Sequence, residues 1–420
     1  MTSPSLQHRA VKLAQWIALG AGVGVACGAG SALFLWLLEE VTRQRETHDE
    51  IVFALPIAGL AIGLFYERFG TPIRGGNNLV IDTIHDGGPE IPLRMAPMVM
   101  VGTLLTHLFG GSAGREGTAV QMGASFADAI AHRLKVTPET RRLMLAAGVA
   151  GGFGSVFGTP IAGAIFGLEF VVLGSIEYHA LVPALTAAVV GDAVTRSLGI
   201  VHTSYPVVGA LALSPSVLLR WIVFAFAVAA VTTAFIELTH TLKRVLEARL
   251  PRLPLRMFVG GIAVVLLWQA IGDDAYLGLG VPTIVRAFGD PSLPQYAFAL
   301  KLVLTAVTLA AGYLGGEVTP LFFVGATLGS TLARWLDLPL DLAAGVGMAA
   351  VFAVASNAPL ALSVMAVELL GANVLPHVVI VSAIAYVLAG HRGIYPSQRL
   401  VRAKSGGPSI APRTIRDHHD

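Results

Sequence analysis

Two short runs set an ionisable side chain among glycines: Gly114-Arg115-Glu116-Gly117-Thr118 and, with its glutamate 201 positions later, Gly315-Gly316-Glu317-Val318-Thr319-Pro320. Each heads an apolar segment, so each would hold a carboxylate at the first turn of a helix. A helix N-terminus presents unpaired N–H groups and a partial positive charge, which suits a small anion. The ionised carboxylate of Glu116 would itself be an anion and would compete for those N–H groups. Once protonated it loses that attraction and can swing away, so proton binding and anion binding are linked through one side chain. Two more segments of this kind open at Arg74-Gly75-Gly76-Asn77-Asn78 and at Tyr395 within Gly393-Ile394-Tyr395-Pro396-Ser397-Gln398. A locked pair between Glu116 and Arg115 is disfavoured, because adjacent helix residues do not face each other.

The elements that must position these groups lie in a membrane. Hydrophobic residues make up 55% of the chain and charged residues 13%, against roughly 25% in a soluble domain. The mean hydropathy of +0.72 comes from many apolar stretches, beginning with 16–38 and 51–65. The first is too long for a signal-peptide core, which is about 7–15 residues, and is expected to be retained. Cys27, the single cysteine, has no companion for a disulfide or a cysteine metal site. A net charge of +2 gives no field for nucleic acid, and no cofactor or metal motif is present. Lys243, Arg244, Arg249, Arg252 and Arg256 crowd one loop, and Arg392, Arg399, Arg402 and Lys404 follow the last apolar stretch. The positive-inside rule puts both segments, and with them both termini, in the cytoplasm of a cell inner membrane or plasma membrane. The acidic loop 39–50 fits the opposite side.

Many apolar segments are shorter than the ~20 residues a spanning helix needs. Stretches such as 98–109, 117–130, 160–173 and 320–332 are cut by glycine, proline or a charge. Helices that stop inside the membrane are tolerated where their ends are buried in protein or line a polar cavity. The segmentation also repeats. Pro160 stands nine residues before Glu169, and Pro359 nine before Glu368, at an offset of 199. Glu116 to Glu169 is 53 residues and Glu317 to Glu368 is 51. The reading is a single transmembrane domain over 1–404, built from repeats at about 10–200 and 215–404, with a disordered tail at 405–420. Corresponding broken helices point to a transport site where their ends converge. Glu169 and Glu368 are expected to hold helices together, the glycines of 20–30 to serve close helix packing, and His107 to be a satisfied buried histidine. The terminal Asp417-His418-His419-Asp420 is expected to be solvated.

The Gly114–Gly117 motif, the run from Gly151 to Gly163 and the duplicated halves together resemble the CLC family of anion channels and proton-coupled anion exchangers. That resemblance implies an all-α polytopic membrane protein with two inverted-topology repeats and broken helices, assembled as a homodimer in the lipid bilayer. Typical chloride members have proline where this chain has Thr118, a serine loop where it has Gly75-Gly76-Asn77-Asn78, and Gly-x-Phe-x-Pro where it has Gly316-Glu317-Val318-Thr319-Pro320. All three departures resemble the fluoride/proton antiporter branch. On that resemblance Glu116 is the gate and proton carrier and Glu317 a partner acid in coupling. Gly114, Asn77, Asn78, Val318 and the Tyr395 hydroxyl, at the start of the last helix, contact the ion. The inner proton acceptor of chloride/proton exchangers falls on Phe170. The phenylalanine pair that lines the path in some fluoride members falls at about Val80 and Thr83, neither aromatic. The implied activity is export of fluoride in exchange for protons. A chloride/proton exchanger or passive chloride channel on the same scaffold is the nearest rival. An intramembrane hydrolase using Glu116 and Glu317 as an acid/base pair lacks any accompanying HExxH motif.

Overall fold

The computed structural model describes residues 5–173, 176–401, 404 and 413–415. The first half contains eight helices: α1 (Leu6–Thr47), α2 (Leu55–Phe69), α3 (Asn77–Asp86), α4 (Met95–Leu108), α5 (Glu116–Arg133), α6 (Pro138–Phe157), α7 (Pro160–Glu169) and α8 (Leu181–Ser197). The second half contains eight more: α9 (Pro215–Arg249), α10 (Leu253–Ile271), α11 (Val281–Arg286), α12 (Ala297–Ala310), α13 (Val318–Leu336), α14 (Leu340–Ser356), α15 (Pro359–Leu370) and α16 (Leu375–Leu388). Long and short helices recur in the same order. In each half the first helix is the longest, at 42 and 35 residues, and the third and seventh are short.

Five helical stretches are long and apolar enough to cross a membrane, among them α1, α9 and α10. They carry exposed apolar side chains such as Val25, Trp36, Phe226 and Leu266, as a surface facing lipid requires. The glycine-rich helices lie inside. From Leu143 to Phe157, from Val318 to Ala333 and from Leu342 to Ser356 every residue is buried. A Cβ added at Gly123 would come within 2.1 Å of the Gly148 carbonyl oxygen, and one at Gly325 within 2.2 Å of that of Gly347. The α5/α6 and α13/α14 pairs are thus closed by the same backbone contact, the small-residue packing that membrane helices use in place of a hydrophobic driving force.

The tightest sign of the duplication is an exchange of carboxylates. Glu169, the last residue of α7, accepts from the backbone N–H groups of Leu360 and Ala361 at the start of α15, at 3.3 and 2.9 Å. Glu368, near the end of α15, accepts from Ile161 and Ala162 at the start of α7, at 3.0 and 2.7 Å. Each helix opens on a proline, which leaves one fewer orphan donor, and each takes a negative charge at its positive end. The sequence expectation that these glutamates hold helices together describes this geometry.

Two expectations change. Tyr395 does not begin a last helix: Gln398 N–H donates to its carbonyl at 3.0 Å to close a turn, and Arg399–Leu400 continues as a strand paired in parallel with Val172–Leu173. The reason is local, since a residue before proline is steered away from the α region, and Pro396 follows Tyr395. Arg413–Thr414 then pairs antiparallel with Arg399–Leu400, and Ile415 is buried. These three residues of the tail are therefore ordered. The other tail residues, including Asp417-His418-His419-Asp420, lie outside the described residues, as does Arg402.

Candidate anion and proton site

The two gating motifs meet. Gly114 N–H donates to the Gly316 carbonyl at 2.6 Å and Gly316 N–H to the Gly114 carbonyl at 2.8 Å, an antiparallel bridge between segments 202 residues apart. Neither glycine can gain a side chain here: a Cβ on Gly316 would lie 2.7 Å from the Gly117 nitrogen. The bridge also spends the N–H of Gly114, which the sequence reading aims at the ion.

This bridge brings Glu116, the first residue of α5, onto the N-terminus of α13. The side chain is fully buried. Its carboxylate accepts from Arg115 N–H at 3.0 Å, from Thr319 N–H at 3.2 Å and from the Thr319 hydroxyl. A carboxylate held by helix-terminal N–H groups and a hydroxyl occupies the place an anion would occupy. Arg115 comes closer than expected, with Nε 3.5 Å from Glu116 Oε1 and no hydrogen-bond partner of its own. It stands at the cap before α5, outside the helical geometry in which neighbours point apart. Thr319 is the residue that the sequence reading misses. It matches Thr118 in the duplicated motif, and that correspondence was the available signal.

Glu317 lies in the wall of a vestibule and caps α13 without a side-chain bond to the helix. Two adjoining cavities of about 500 Å³ each share Asn78, Lys243, Glu247 and Glu317 in their linings. The second also reaches Asn77 and Tyr395. Asn77 opens α3 behind Gly76, whose φ of +55° favours glycine. Its amide oxygen is buried without a partner. Its amide nitrogen sits beside Gly117, near enough that a Cβ there would approach to 3.2 Å. Asn78 is turned differently: its oxygen accepts from Ser397 N–H at 3.0 Å, tying α3 to the turn after Tyr395. Asn77, Glu116, Glu317, Val318 and Tyr395 thus lie around one buried centre.

Tyr395 packs edge-on against Phe170, with ring centroids 4.8 Å apart. Phe170 continues into a cluster through Phe166, Phe153 and Phe157 to Phe322. Phe322 and Phe323 are core side chains. Val80 is fully buried, and the Thr83 hydroxyl bonds the Leu79 carbonyl at 2.7 Å, so neither lines the vestibule. A further cavity of about 400 Å³, lined by Phe157, His202, Tyr205 and Glu368 among others, shares no lining residue with the first two. The charges of Arg115 and Glu116 reach Tyr205 in its wall. His107 is buried with its two ring nitrogens against the carbonyls of Thr103 and Ala113, at 2.8 and 3.1 Å. It braces the loop that leads into Gly114. Among the described residues no group of histidine, cysteine and acidic side chains could hold a metal ion.

Broken helices that converge on a buried carboxylate, with a polar vestibule beside it, define a polytopic membrane protein of the ion-transport class. The family profile described as voltage gated chloride channel matches residues 58–390, and the chain belongs to that family, the CLC proteins. It is 45% identical to the "Chloride/fluoride channel protein" of Pseudomonas syringae pv. tomato, over 96% of this chain and 90% of the relative. It is 25% identical to an uncharacterised protein of Methanocaldococcus jannaschii, over 86% and 90% of the two chains. Among solved structures it is similar to a CLC-type fluoride/proton antiporter, with a TM-score of 0.90 and 36% identity over 93% of this chain and 99% of that one. A slow cyanobacterial Cl−/H+ antiporter, 18% identical with a TM-score of 0.78 over 89% and 94% of the chains, shares the fold.

Proposed function

We propose that this protein exports fluoride in exchange for protons, with Glu116 as gate and proton carrier. The observation that carries this reading is the carboxylate of Glu116 seated on the N-terminus of α13. Protonation would weaken its hold on Thr319 and Arg115 and vacate donors that an anion can take. Glu317, one residue before α13, assists by holding a proton at the vestibule. Asn77, Asn78, Val318 and Tyr395 contact the ion. Fluoride is small and strongly hydrated, so it requires short, directed donors, and the Thr319 hydroxyl and an amide at residue 77 supply that chemistry. Gly114 serves through its bridge to Gly316, which aligns the two helix ends.

The vestibule carrying Lys243, Arg244 and Arg256 faces the cytoplasm, as do both termini, on the positive-inside rule. The protein sits in the inner or plasma membrane as a homodimer. Exposed apolar residues along α7, α8, α15 and α16, such as Ile161, Val189, Leu360 and Val379, offer a contact face.

The deciding measurement is ion efflux from liposomes holding the purified protein, with fluoride and chloride electrodes and external pH read together. Fluoride flux far above chloride, with protons driven uphill by a fluoride gradient, is the expected result. Equal chloride flux would move the chain to chloride exchange, which the printed name of the Pseudomonas relative keeps in view. Fluoride flux without proton movement would make it a channel.

A further inference from the structure

The vestibule contains one cation that nothing above has used. Lys243, on the C-terminal part of α9, lines both of the adjoining cavities together with Asn78 and Glu317. The other charges around it are paired off. Arg256 lies 3.4 Å from Glu247, and Arg392 lies 2.6 Å from Glu237. Lys243 forms no ion pair among the described residues. Its charge acts across the cavity on Glu317.

Asn78 supplies the second element. Its amide oxygen is occupied by Ser397 N–H at 3.0 Å, so the amide group is oriented and its NH2 end is left to donate. An oriented amide donor and an unpaired ammonium therefore stand in the wall where the two cavities join, on the route to Asn77. One carboxylate opposes them there without a cation of its own, that of Glu317.

We propose that Lys243 and the Asn78 amide form an entry subsite for the anion, which concentrates fluoride from solution in the vestibule before it reaches Asn77 and the gate. The proposal deepens the transport reading and rests on it. A single cation in a concave, partly desolvated mouth raises the local anion concentration, and clefts lined by one sign of charge change encounter by about tenfold or more. A subsite of this kind acts on capture and leaves the later steps alone.

The test is fluoride transport by reconstituted wild type and the variants Lys243→Met, Lys243→Gln and Lys243→Arg, with half-saturating fluoride and maximal rate determined separately at low and high ionic strength. The methionine and glutamine variants are expected to raise half-saturation by about three- to tenfold. Their maximal rate should stay within about twofold of wild type, and arginine should restore capture. The difference should shrink in high salt, because an exposed charge is screened. Unchanged half-saturation in both neutral variants, with protein that elutes as wild type does, would overturn the proposal.

A second comparison separates capture from a role in proton handling. Lys243→Met is also measured in a Glu317→Gln background. If Lys243 draws anions, its loss still raises half-saturation there; if it only balances the charge of Glu317, the effect vanishes and the entry subsite is refuted. Failure of the transport reading itself looks different. Wild type would then move no protons against a fluoride gradient, while the shift in half-saturation could still be read with whichever anion the wild type carries.

Discussion

The two gating motifs align residue for residue, Gly114 with Gly315, Glu116 with Glu317 and Thr118 with Thr319, yet their side chains do opposite things. Glu116 is sealed inside and lies across the partner repeat's helix, while Glu317 stands at the head of its own helix and faces a vestibule. The threonines divide in the same way. Thr118 shares a hydrogen bond of 2.6 Å with Thr103 of α4, a contact between helices, whereas Thr319 gives both its N–H and its hydroxyl to Glu116. The pair at Arg115 and Gly316 accounts for the difference. Gly316 has no side chain and lets the first motif lie against it, but a residue as large as Arg115 at that position would hold the segments apart. Duplication supplied two helix ends, and one glycine decided which of them receives the other's carboxylate.

The sharpest way to break this asymmetry is to neutralise each acid in turn. Glu116→Gln should abolish fluoride-driven proton movement, a loss of about a hundredfold or more, while Glu317→Gln lowers coupled exchange by about tenfold. Equal losses, read as pH change in liposomes under a fluoride gradient, would mean that the motifs share the work evenly. Gly316→Ala should destabilise the detergent-solubilised protein by about 1–3 kcal/mol, because the new methyl meets backbone rather than a flexible side chain. An unchanged melting temperature would show that the bridge can open without cost.

The threonines provide the finer contrast. Thr319→Val removes a donor to a carboxylate, an interaction of about 1.5–3 kcal/mol, and should lower exchange by about tenfold. Thr118→Val removes a neutral bond between α4 and α5 and should leave flux within about twofold while costing about 1 kcal/mol of stability. If the two variants transport equally, the division between a structural and a functional threonine fails.

Much of this architecture could be read from residue order alone. The apolar segments, their short broken members and the matched spacing of Pro160–Glu169 and Pro359–Glu368 announced a membrane protein built twice. Asn77, Glu116, Glu317 and Tyr395 could be chosen because polar groups beside glycine are costly at membrane depth unless they serve a purpose. What escaped is contact between the halves. Thr319 carries no signal until Glu116 is laid against it, and no local rule relates residues 203 apart. Lys243 read only as one of several basic residues marking a side of the membrane. Lys301 was hidden in the same way: it is fully buried on α12, and its ammonium donates to the carbonyls of Tyr276 and Gly278 at 3.0 and 2.7 Å. The segment after Tyr395 was misjudged because helix continuation outweighed the restriction that Pro396 imposes.

The crossed carboxylates of α7 and α15 bear on ancestry. Each glutamate completes a helix that belongs to the other half, so neither half carries everything its own helix ends require. A half-length chain with one such proline-to-glutamate helix would find the missing partner in an inverted second copy of itself. Gene fusion could then have joined an existing two-chain assembly into a single polypeptide while leaving its contacts as they were. The later drift of one motif toward gate and the other toward vestibule became possible only after the copies were free to differ.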